Sequence, residues 1–190
     1  MQATALPASA RRPSMLAVGT VVWLASELMF FGGLFASYFT IRAAHPVWPP
    51  PGAHLDTAQA GVFTAVLVLS SGTMQLGVRN AEQGAMGAAR RWVVATIALG
   101  VLFLGNQALE WSRVPFSPST HVFGSLFFLM TGFHGFHVLL GLLAMAFLLV
   151  RMAGEGRDPG DTPAVEVVAY YWHFVDVVWL GLYATLFLLK

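Results

Sequence analysis

The chain has 190 residues, 57% of them hydrophobic and only 10% charged, with a formal net charge of +1 and a mean hydropathy of +0.69. Soluble domains carry roughly 25% charged residues, so lipid and not water must solvate most of this surface. Ten scattered Lys and Arg residues make no concentrated field for a nucleic-acid partner, and the absence of cysteine removes disulfide frameworks, thiolate metal sites and thiol nucleophiles.

Residues 1–14, with Arg11 and Arg12, form a tail ahead of a long apolar run. That run, 15–41, is too long for the apolar region of a signal peptide and reads as a retained first span. A spanning helix needs ~20 predominantly apolar residues, and the stretches 57–78, 92–112, 120–150 and 164–189 also meet that length. In hydrocarbon the backbone must satisfy its own hydrogen bonds, which makes each stretch a helix. The breaks are the Pro-rich run from His45 to Gly52, the polar stretch 80–89, Pro115 and Pro118, and the charged 151–163 with Pro159, Gly160 and Pro163. They are short, so consecutive helices are expected to be antiparallel neighbours. The second span is diluted by Gln59, Ser70, Ser71, Thr73 and Gln75, although such residues also mark helix–helix contacts in membranes. The expected fold is all-α, a single polytopic bundle of five transmembrane helices over 15–190, with four spans as the alternative.

Basic residues set the orientation. Arg11, Arg12, Arg79, Arg90, Arg91, Arg151 and Arg157 fall on one side, and Arg42, Arg113 and Lys190 on the other. This places the N-terminus and the 1–14 tail in the cytoplasm and the C-terminus outside. Trp48, Trp92 and Trp111 lie at span ends, where an indole suits the headgroup level. No internal repeat points to an inverted-repeat transporter.

Ionisable groups are expensive in hydrocarbon, so Glu27, Glu110, His134, His137, His173 and Asp176 are expected to face protein or trapped water. At ~1.5 Å of rise per residue, Glu27 lies roughly 18 Å along the first span and Asp176 about as far along the fifth, both near the midplane. His134 and His137 fall in the inner half of the fourth span, and Glu110 near the outer end of the third. One polar seam joining the first, fourth and fifth helices is the expectation. His134 and His137 share a helix face at i, i+3 spacing, as haem or metal ligands would. With no Cys and no Glu-x-x-His pattern the ligand set is incomplete, which favours interhelical hydrogen bonds. His173 and Asp176, also i, i+3, are expected to satisfy each other. Glu27 is flanked by Trp23, Leu24, Leu28, Phe30 and Phe31 and should be desolvated. A structural hydrogen bond and a part in proton handling both stay open for it. Gly33 with Ser37, Gly132 with Gly135, and Gly141 are read as points of close helix approach, and Phe127-Phe128 as packing surface.

Four segments together carry a resemblance. They are Trp23-Leu24-Ala25-Ser26-Glu27-Leu28-Met29-Phe30-Phe31, Gln107-Ala108-Leu109-Glu110-Trp111, Thr131-Gly132-Phe133-His134-Gly135-Phe136-His137-Val138, and Tyr170-Tyr171-Trp172-His173-Phe174-Val175-Asp176-Val177-Val178-Trp179. In this order, with the Trp48-Pro49-Pro50-Pro51 loop, the chain from about residue 14 onward resembles the haem–copper oxidase subunit III family, in its short actinobacterial-type form. The resemblance implies a non-redox core subunit of a proton-pumping cytochrome c oxidase in the aerobic respiratory chain. It would pack on subunit I, with subunit II in the same complex and cytochrome c as the substrate of the whole. Haem and copper would then sit in the partner subunits, with no catalytic, metal or cofactor residue in this chain, in a bacterial plasma membrane where phospholipid is a possible ligand. The family's buried helix glutamate carries over to Glu27, its Gly-Phe-His-Gly-x-His residues to His134 and His137, and its Trp-His-Phe-x-Asp element to His173 and Asp176. Longer members have seven helices. The first two, which wall one side of a lipid-filled cleft, have no counterpart here, so a large apolar face of the first span is expected to meet lipid, an extension of subunit I or another subunit. The rival readings are a subunit III-like component of a quinol oxidase or nitric oxide reductase complex, and an autonomous membrane proton transporter.

Overall fold

The computed structural model describes residues 15–153 and 161–189. Five helices in it are long and apolar enough to cross a membrane, and no strand occurs among the described residues. They are α1 (Met15–Ala43), α2 (Thr57–Glu82), α3 (Met86–Arg113), α4 (Val122–Arg151) and α5 (Asp161–Tyr183), the last running on into a π-helical turn at Ala184–Leu188. The five-span expectation is met and the four-span alternative is not. The expected 1–14 tail, Arg157, Pro159, Gly160 and Lys190 lie outside the described residues.

The second span, the most polar by sequence, is a full helix capped by Asp56, whose carboxylate accepts from the Gln59 N–H at 2.9 Å. Where the sequence predicts a loop over 80–89, helix continues on both sides. The reversal needs only Gln83-Gly84-Ala85, because Gly84 takes a left-handed conformation at φ 78° that a side chain would resist. Arg90 and Arg91 therefore belong to the first turns of α3. At the other end, α3 stops at Arg113, ahead of Val114-Pro115, and α4 starts behind His121, whose Nδ1 accepts from the Gly124 N–H at 2.8 Å.

Packing departs from the neighbour rule at one place. Helices α2 and α3 form the closest pair, α3 packs on α4 and α4 on α5, as short connections require. The fifth helix closes this group by packing on α2, while α1 lies outside it, against α5 and part of α4, and is not packed along α2. The loop from Ala44 to Asp56 is long enough to carry the chain past its sequential neighbour. Trp172 marks the centre of the four-helix group and is fully buried. Its ring is wedged between two glycines: a Cβ on Gly100 or on Gly141 would come within 2.8 Å of it. Close approach at Gly141 thus matches expectation, as do Gly132 against Trp111 and Gly135 against Gln107. Gly33 does not, because among the described residues no neighbouring element comes within 4 Å of its would-be Cβ. Phe127 is fully buried among Phe116, Phe123, Phe128 and Phe187, the packing surface the sequence implies.

Candidate functional site

The six ionisable residues do not form one seam. They divide into two carboxyl–imidazole pairs and two single groups, and the division follows the packing of α1 and α2 on opposite sides of α5.

On α1, Glu27 Oε2 lies 3.1 Å from His137 Nε2 on α4. The other ring nitrogen of His137, Nδ1, is 2.7 Å from the Phe133 carbonyl oxygen one turn earlier. A carbonyl only accepts, so Nδ1 carries a hydrogen, and Nε2 either donates to a carboxylate or accepts from a carboxylic acid. In both arrangements a single proton lies between the two groups and the pair has no net charge, which is the condition for keeping it in hydrocarbon. Phe31 stands edge-on to the imidazole at 5.1 Å, and the Tyr171 hydroxyl donates to the His137 carbonyl at 2.9 Å. Tyr171 in turn stacks on Trp23 at 5.3 Å. About three turns further along, α1 is pinned again by a chain of donors in which the Trp48 indole donates to Tyr38 and Tyr38 to the Thr185 carbonyl, at 2.9 and 3.1 Å. The acceptor lies in the π-helical turn.

The second pair lies between α2 and α5. Their spacing predicts a direct bond between His173 and Asp176, but both instead meet Ser71 Oγ, His173 through Nδ1 at 2.8 Å and Asp176 through Oδ2. The third-residue spacing brings both side chains to one face, but α2 supplies a hydroxyl that bridges them. His173 Nε2 donates to the Gln75 amide oxygen at 3.3 Å. The serine can pass one hydrogen either way, so this triad too holds a single proton between an acid and an imidazole. Asp176 is buried, and its Oδ1 has no partner among the described residues.

His134 and Glu110 stand apart. His134 is fully buried, yet neither ring nitrogen has a hydrogen-bond partner among the described residues. It sits between the rings of Phe103 and Trp179, at 5.9 and 4.9 Å, so the interhelical hydrogen bond expected of it is replaced by an aromatic slot. Glu110 is partly buried near the end of α3, with Oε1 likewise unpartnered. These positions also bear on metal binding. Both nitrogens of His137 are engaged, and no group of three His, Asp or Glu among the described residues is placed to hold a metal ion.

The polar residues that dilute α2 turn out to be its contacts with two neighbours: Gln59 and Thr73 meet Asn106 and Thr96 of α3, and Ser70, Ser71 and Gln75 meet α5. Ser70 accepts from the Trp172 indole and Thr64 from the Trp179 indole, each at 2.9 Å. Gln107 and Trp111 do similar work between α3 and α4, donating to the Thr131 carbonyl and hydroxyl at 2.5 and 3.1 Å. Sequence reading did not single out these four acceptors and donors as partners. The signal was the spacing of Ala60, Thr64, Leu67, Ser70, Met74 and Val78, all buried, which marks one stripe of α2 as interior.

Comparison with known proteins joins this geometry to a lineage. The family model described as "Cytochrome c oxidase subunit III" matches residues 10–190. The chain is 47% identical over 186 residues to the probable cytochrome c oxidase subunit 3 of Nocardia farcinica, covering 96% of this chain and 92% of that protein. It is 45% identical to the cytochrome c oxidase subunit 3 of Corynebacterium diphtheriae, again over 96% and 92%. The Thermostichus vulcanus protein of the same name is 36% identical, over 93% of this chain and 89% of its own. With five membrane-length helices and a family match over nearly the whole chain, this protein belongs to the cytochrome c oxidase subunit III family and is a multi-pass membrane subunit of the respiratory oxidase.

Proposed function

We propose that the chain is the non-redox core subunit that packs on the haem- and copper-bearing subunit I through α1, stabilises it and supports its proton uptake. Subunit II, with its copper, would complete the electron path from cytochrome c. The assembly would lie in the bacterial plasma membrane with the N-terminus and the 1–14 tail cytoplasmic and the C-terminus outside, as the Arg distribution favours.

One observation carries the docking face. Only 6% of the most apolar stretch of α1 is buried, against 56% for α5, although α1 holds Glu27 near mid-membrane with 23% of its side chain exposed. A carboxyl part-open to lipid is costly, and a partner helix laid on α1 would remove that cost. Turned away from Glu27, α1 also exposes Val21, Val22, Leu28 and Met29, with room beside Gly32 and Gly33 for a close backbone. Between the rival complexes, the relatives, named as subunits of cytochrome c oxidase, favour the cytochrome c enzyme over a quinol oxidase or nitric oxide reductase.

The native chain lacks cysteine, which makes the test direct. A single cysteine at Val22 or Met29 of α1 is expected to cross-link to cysteines on membrane helices of subunit I in the intact oxidase. One at Val101 of α3, exposed on another helix, is expected not to. Cross-linking only from Val101, or none from α1 with lipid-soluble quenchers reaching it freely, would overturn the docking face.

A further inference from the structure

The membrane face that carries the turn at residues 83–85 has a hollow of about 440 Å³ lined by Gly87, Arg90, Arg91, Val94 and Leu149. It lies between the start of α3 and the end of α4. Both arginines are exposed, and no acidic side chain among the described residues pairs with either. Beneath them Val94 of α3 and Leu149 of α4 give the hollow an apolar floor. The chain here has the two halves of an amphiphile's complement in vertical order: cationic forks at headgroup depth and hydrocarbon one turn deeper into the membrane.

We infer that this hollow is a binding site for an anionic phospholipid, its phosphodiester held by Arg90 and Arg91 and one acyl chain lying on Val94 and Leu149. Guanidinium groups suit phosphate because their planar donors match two oxygens at once. The backbone adds to the same field. Ala85 makes no side-chain cap on α3, the first turn contains no acid, and the space beside Gly87 is open; the Ala88 and Ala89 N–H groups donate to the Ala85 carbonyl, which leaves those of Met86 and Gly87 for an anion. Neighbouring hollows lack this combination. The one lined by Phe128, Leu129, Gly132, Phe133 and Phe136 is apolar, and the one between α2 and α5 is edged by Glu82 and Glu166, which repel an anionic headgroup. The site is on the α3–α4 side, away from the α1 face proposed above for subunit I, so either assignment can fail without the other.

The test uses the intact oxidase containing this chain, exchanged into nanodiscs of phosphatidylcholine with a small fraction of photoactivatable phosphatidylglycerol. Adducts are expected on peptides covering 86–94 and 145–153, reduced by excess phosphatidylglycerol and not by inorganic phosphate. The double variant Arg90→Gln/Arg91→Gln is expected to weaken labelling roughly tenfold or more, given the worth of two cationic side chains at a membrane surface. Arg113→Gln, at the other end of α3, is expected to leave it unchanged. Haem content and subunit stoichiometry report that each variant is assembled. Four results would overturn the assignment: equal labelling by a phosphatidylcholine probe, no loss in the double variant, displacement by inorganic phosphate, or adducts on another polypeptide covering the hollow.

Discussion

At the scale of single residues, the chemistry of this chain rests on how an acid is kept in hydrocarbon. Glu27 and Asp176 each share one proton with an imidazole, the first directly with His137 and the second through Ser71 with His173. Glutamine at position 27 can still donate to His137 Nε2 but cannot release a proton. Glu27→Gln is therefore expected to preserve assembly and thermal stability of the oxidase while slowing its proton uptake and abolishing carbodiimide labelling of this chain. Unchanged uptake kinetics would reduce the pair to a structural hydrogen bond. Glu27→Ala also removes the interhelical bond, and should lower the melting temperature of the complex by an amount equivalent to about 0.6–2 kcal/mol, checked by calorimetry. All six ionisable candidates were visible in the sequence because charge is scarce in apolar runs. Their partners were not, since Ser71, a residue with no charge to draw the eye, decides where Asp176 and His173 meet.

At the scale of helices, what the sequence made legible was length, order and the positions of small residues. Each of the five apolar runs became a helix, because backbone hydrogen bonding in lipid leaves no other local choice. Pairing beyond sequential neighbours was not legible. That α5 lies on α2 depends on indoles meeting hydroxyls across the bundle, as Trp172 meets Ser70 and Trp179 meets Thr64, and α1 meets α5 through the stack of Trp23 on Tyr171. The Gly141–Trp172 contact gives this level its own test. Gly141→Val would drive side-chain atoms into a fully buried ring that has nowhere to move, at a cost of about 1–3 kcal/mol in stability. Gly105→Ala, with nothing within 4 Å, should be neutral or slightly stabilising. Denaturant titration of the complex, followed by loss of this subunit, compares the two. Equal effects would mean that the ring is not wedged as described.

At the scale of the molecule, α2 to α5 form a self-sufficient group with Trp172 at its centre, and α1 is an outrigger whose outward face meets little of its own chain. Such an arrangement suits a subunit that is finished by assembly, with a partner helix completing what this chain leaves open. It also explains why the neighbour rule failed only at α1: a helix placed for an intermolecular contact need not stay beside the next one in sequence. Gly33 belongs to the same pattern, a small residue beside which a Cβ would meet no other element among the described residues.

The most direct measurement is purification of this chain, affinity-tagged, from membranes of its native host under mild detergent, followed by optical spectra and metal analysis of the complex and of the chain after dissociation. The expected result is copurification with haem- and copper-containing oxidase subunits in fixed proportion, and a dissociated chain that is colourless and metal-free. A chain that comes out of the membrane alone, or keeps haem or metal of its own after separation, would contradict its role as a redox-free subunit of the oxidase.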